Sequence, residues 1–120
     1  MYGIDGYPSL TYIGAVLTFV ETRQFTSLIP QYLTDDEYSA LQQELATRPD
    51  AGQVIPGSGG VRKLRWAAEG RGKRGGIRII YYLRSSENEI WMLTVYAKNE
   101  AASIPGLVLK EIKEQIDGSL

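Results

Sequence analysis

The sequence predicts one α+β domain ordered β-α-α-β-β-β-α, with its helices packed on one face of a largely antiparallel sheet. Three observations carry this expectation. The chain has 120 residues, 43% hydrophobic and 22% charged, which suits a single folded domain with a modest core. Helical spacing and a capping pattern occupy residues 25–48. Three strand-like runs then follow without a helix between them, at 61–68, 76–85 and 89–98, and that segregation is the mark of an α+β layer rather than of a βαβ repeat.

Residues 1–15 are rich in Gly, Tyr and Pro and show neither period, so 1–16 read as an N-terminal extension, partly disordered, or arising from an upstream start or from cloning. The domain itself is expected over 17–118. The apolar stretch from Tyr12 to Val20 is short and has no Lys or Arg before it, which argues against a signal peptide or a membrane span. Residues 16–22 (VLTFVET) are β-branched and aromatic enough for a first strand. Phe25, Leu28, Ile29 and Tyr32 then recur at helical spacing, with Pro30 shortening or kinking the helix. Thr34-Asp35-Asp36-Glu37 is a capping box, and Tyr38, Leu41 and Leu45 mark one face of a helix that stops at Arg48-Pro49. A loop runs to Gly60. Between the first two strand-like runs lies a glycine-rich basic loop, Glu69 to Gly75, and between the last two, Ser85 to Asn88 reads as a tight turn. Ser103-Ile104-Pro105-Gly106 opens a final helix bearing Val108, Leu109, Ile112 and Ile116, closed by Gly118.

The chain contains neither cysteine nor histidine. Disulfides, thiolate nucleophiles, sulfur-ligated zinc and imidazole chemistry are thereby excluded, and any catalysis falls to Lys, Arg, Tyr or carboxylates. The net charge of −1 hides a strong asymmetry. Residues 61–84 carry eight Lys/Arg against Glu69 alone, a local charge of +7 that leaves −8 for the rest. Such a block is an electrostatic footprint for a polyanion; the plainer alternative is a solvated hairpin whose arginines pair with acidic neighbours.

Strand alternation sorts these residues by face. Ile77, Ile79, Tyr81 and Leu83 oppose Arg78, Ile80, Tyr82 and Arg84; Trp91, Leu93 and Val95 oppose Met92, Thr94, Tyr96 and Lys98; Leu64 and Trp66 oppose Lys63 and Arg65. With the apolar sets turned to the helices, the other face collects Lys63, Arg65, Arg78, Tyr96 and Lys98, and the loop bearing Arg71, Lys73 and Arg74 is placed to fold over it. Cations that hold phosphates beside rings that stack on unpaired bases suit RNA. The alternative for Tyr81, Tyr82 and Tyr96 is ordinary strand packing. Arg78 interrupts an apolar run, where a charge is costly without a task or a partner.

Other motifs fail on context. Gly70 to Gly75 matches GxGxxG in form, but a strand rather than a helix follows it, and Gly72-Lys73 is followed by Arg74 instead of Ser or Thr. Asp35, Asp36 and Glu37 fit a helix's first turn better than a metal site. No cofactor and no metal are expected.

Taken together, VETRQF, YLTDDEY, GSGGVRKLRWA, GRGKRGGIRIIYYL and LTVYAKNE resemble the RelE/HigB superfamily of bacterial type II toxins, and more narrowly its HigB-type branch. The resemblance spans roughly 17–117, and GKRGGxRIIYY is its most specific run. It implies a cytoplasmic ribonuclease that enters the ribosomal A site and cuts messenger RNA without a metal. In that chemistry the ribose 2′-OH attacks the adjacent phosphate, leaving a 2′,3′-cyclic phosphate and a 5′-OH. It also implies a HigA-type antitoxin with a helix-turn-helix domain as partner, beside the ribosome, and no membrane. By the same resemblance Arg78 matches the family's strand arginine that stabilises transition-state charge, and Lys63 and Arg65 match cations that activate the 2′-OH and hold the phosphate. Lys73 and Lys98 are second choices for the base, and Tyr96 stacks or orients the nucleophile. Arg62, Arg71, Arg74, Arg84 and Tyr82 are expected to contact RNA or ribosome. Asn99 and Pro105 stand where the RelE branch has a further arginine and a C-terminal tyrosine, so the general acid and base stay unassigned. Two alternatives remain open at this point, a gyrase-inhibiting toxin of the ParE branch and a non-catalytic RNA-binding protein.

Overall fold

The computed structural model describes residues 17–67, 76–98 and 104–118. The order is β1 (Thr18–Glu21), α1 (Arg23–Leu28), a 3-10 turn (Ile29–Gln31), α2 (Asp35–Thr47), β2 (Gln53–Val54), β3 (Arg62–Trp66), β4 (Ile77–Arg84), β5 (Glu89–Ala97) and α3 (Gly106–Gly118). The α+β class and the succession of the expected elements hold; the two-residue strand β2 is an addition within the expected loop. The N-terminal extension at 1–16, the basic loop from Glu69 to Gly75, and Asn99 and Ser103 lie outside the described residues.

Local chemistry accounts for the helix limits. Thr22 caps α1 by accepting from the Phe25 amide, and Pro30 turns the chain from α-helix into the 3-10 turn. Thr34 and Glu37 form the reciprocal capping box that starts α2. Asn88 takes a left-handed backbone at φ 55° to close the turn between β4 and β5, a conformation its side chain tolerates better than most.

The strands form one five-stranded sheet in the order β1-β5-β4-β3-β2. Three of the pairings are antiparallel, but β1 runs parallel to β5, with Phe19 opposite Ile90. The sheet is therefore mixed rather than antiparallel throughout. The chain leaves β1 through α1 and α2 and does not return to pair beside it, which frees β1 to align with the last strand.

The expectation that all helices share one face is corrected. On one face α1, the 3-10 turn and α2 bury Phe25, Ile29, Leu41 and Leu45 against Phe19, Ile77, Ile79, Tyr81, Met92 and Val95. On the other, α3 buries Leu109 and Ile116 against Ile80, Tyr82, Trp91 and Leu93. The reason lies in β4, where Ile80 and Tyr82 make the nominally cationic face apolar along half its length. Apolar surface on both sides of a sheet needs a cover on both sides.

The parity assigned to β5 is corrected as well. Ile80 pairs with Thr94 but Tyr81 pairs with Met92, so Leu93 is an extra residue, a β-bulge. Beyond it the alternation reverses: Trp91 and Leu93 join Tyr82 under α3, while Val95 stays with Ile79 beneath α1 and α2. Thr22 fixes the bulge by donating its hydroxyl to the Leu93 carbonyl at 2.8 Å and its amide to Met92 at 3.1 Å.

Candidate nucleic-acid interface

Helix α3 divides its face of the sheet. The half under the helix is apolar; the half at the start of β4 is not. Register places Arg65 directly opposite Arg78, and Arg78 directly opposite Tyr96, so three neighbouring strands present a row Arg65–Arg78–Tyr96. The next row is Lys63–Ile80–Thr94. Arg65 is exposed, and Lys63, Arg78 and Tyr96 are half-buried. Tyr96 also packs at the margin of the core beneath α3, together with Ile104. The close meeting of β3 and β4 is helped by Gly76, whose φ of +54° and approach to the Trp66 carbonyl leave little room for a side chain.

The remaining expected residues separate into distinct groups. Arg62 faces the other way, opposite Tyr81, and donates to the backbone carbonyls of Gly52 at 2.7 Å and Asp50 at 3.3 Å. Arg84 pairs with Glu89 at 3.2 Å and with Asp117 of α3 at 3.7 Å. The Tyr82 hydroxyl donates to the Asp117 carboxylate, which also holds Lys113 at 3.1 Å. Burial first, and then the Asp117 carboxylate, push the Tyr82 phenol up to about 12. Arg84 and Tyr82 thus fasten α3 to the sheet and lie outside the row. Lys98 is exposed one residue past the end of β5, outside the paired register. Lys73, Arg71 and Arg74 lie outside the described residues.

The two kinds of cation differ in their surroundings. Arg48, Arg62, Arg84 and Lys113 each have an acceptor in the protein. Among the described residues no carboxylate stands within ion-pair distance of Lys63, Arg65 or Arg78. Two guanidiniums and an ammonium thus share one face of the sheet with an aromatic ring at the end of the row, and no described helix is packed over Arg65 and Arg78. Such groups are donors suited to phosphate oxygens and a ring suited to stacking.

Asp117 and Glu89 were not among the expected residues; together they hold Arg84, and Asp117 also holds Lys113 and Tyr82. The signal for Asp117 was present in Ile80 and Tyr82, whose apolar character on the cationic side called for a covering helix; Glu89 follows from its place opposite Arg84 in the β4–β5 pairing. No known protein-family model matches the chain. No helix among the described residues is long and apolar enough to cross a membrane.

Proposed function

We propose that this protein is a RelE/HigB-like endoribonuclease toxin that cuts messenger RNA in the ribosomal A site and is neutralised by a HigA-type antitoxin with a helix-turn-helix domain. The observation that carries the reading is the row Arg65–Arg78–Tyr96, with Lys63 beside it and no described carboxylate on it. In this reaction the 2′-oxygen forms a bond to phosphorus while the bond to the 5′-oxygen breaks. The 2′-proton is lost to a base and a proton reaches the leaving oxygen. Arg78 stabilises the negative charge that grows on the non-bridging oxygens, a role for preorganised donors. Arg65 and Lys63 hold the phosphate from β3, and Tyr96 stacks on the neighbouring base. None of these steps draws on histidine, cysteine or a metal.

Mapping transcript 5′ ends shortly after induction, wild type beside Arg78→Ala, tests the reading. Wild type is expected to generate new 5′ ends within translated regions, and loss of Arg78 to lower their yield by roughly 10²–10³-fold. Growth arrest with transcripts intact overturns the nuclease. Gyrase-dependent DNA damage in that case selects the ParE-type reading, and salt-dependent RNA binding without cleavage selects a binding protein.

A further inference from the structure

Arg65 and Arg78 are direct partners in an antiparallel pair, with their Cα atoms about 4.5–5.5 Å apart. Like charges placed directly opposite one another in a sheet repel and weaken it. Lys63 adds a third positive charge on the same face, two residues along β3. Elsewhere on this sheet the protein resolves its cations: Arg62 reaches backbone carbonyls and Arg84 reaches two carboxylates. At the row no described residue supplies a counter-charge.

We propose that Arg65 and Arg78 bind one phosphate-type anion jointly, and that their repulsion in the empty protein makes the stability of the fold depend on that anion. An oxyanion between the two guanidiniums converts a repulsive pair into two charge-assisted contacts. Binding to the folded state alone then stabilises it by mass action. The empty protein is the less stable form, and the β3–β4 pairing that builds the row is the part of the sheet that gains most from occupancy. The proposal rests on the reading of this row as a phosphate site, but not on cleavage.

The test is thermal unfolding at low ionic strength of wild type, Arg65→Gln, Arg78→Gln and the double variant, each with and without inorganic pyrophosphate at matched ionic strength. Each single substitution is expected to raise the unfolding midpoint of the empty protein by about 2–4 °C. The double variant is expected to gain less than the sum of the two, because one repulsion is removed only once. Pyrophosphate is expected to raise the wild-type midpoint, and either single substitution to remove most of that rise. Arg62→Gln is the control with the opposite sign, since it strips a donor from backbone carbonyls and lowers the midpoint. Additive effects, a lower midpoint for Arg78→Gln, or a pyrophosphate rise that survives both substitutions overturns the proposal. Transcript cleavage with additive midpoints overturns this coupling alone. Coupled midpoints without cleavage overturn the nuclease and leave the anion pair standing.

Discussion

Thr22 holds three parts of the protein at once. Its hydroxyl accepts from the Phe25 amide at 3.1 Å to cap α1 and donates to Leu93 at the bulge, both bonds being buried. Thr22→Val keeps the shape and removes both bonds, leaving a buried donor and a buried acceptor unpaired. The expected loss is about 2–4 kcal/mol in urea unfolding, read as a lower midpoint with an unchanged slope. The cap, though not its second bond, was open to inference from a Thr placed before an apolar period. The bulge was not, because a bulge is set by the fit between two strands and leaves no residue pattern in either. That omission moved Trp91 and Leu93 to the wrong face, while Arg78, Arg65, Lys63 and Tyr96, all on the regular side of the bulge, were sorted correctly by alternation alone.

At the scale of elements, α3 is the piece whose placement departed from expectation. Its apolar positions were legible, but a period of 3.6 tells which side of a helix is buried and not which side of a sheet receives it. The close contact between Gly106 and the Pro56-Gly57 backbone, where a Cβ would collide, sets the first turn of α3 against the loop that follows β2. The opposite end is held by Tyr82, Arg84 and Asp117. That end carries an alkaline dependence. The Tyr82 phenol, near 10 in an unfolded chain and about 12 here, favours its neutral form in the fold. Its contribution is therefore complete below about pH 10 and is lost as pH rises towards 12. Burial raises Tyr38 and Tyr81 too, with the same sign. Tyr82→Phe is expected to flatten, without abolishing, the fall in unfolding midpoint between about pH 10 and 12, as followed by circular dichroism.

For the molecule as a whole, the near-neutral net charge conceals a protein divided into a basic patch and an acidic remainder. Binding to single-stranded RNA is expected to weaken with salt, with a log–log slope of about −0.7 for each phosphate engaged. Arg78→Ala is expected to make that slope shallower by about one phosphate, whereas Arg84→Ala leaves it unchanged and lowers stability instead. Fluorescence anisotropy over a salt series measures both. The fold class followed from the order of periodic segments, and the patch from charge and alternation. Pairing between the first and last strands did not, since partners so distant in sequence share no local signal.

That distant pairing has a consequence for the birth of the protein. Thr22 and Leu93 stand 71 residues apart, and among the described residues β1 has no strand partner but β5. During synthesis α1 and α2 emerge with their apolar sides unmatched, and they stay so until the β4–β5 hairpin arrives. Closure of the larger core is thus postponed until β5 has emerged, and up to that moment the apolar sides of α1 and α2 are exposed on the nascent chain.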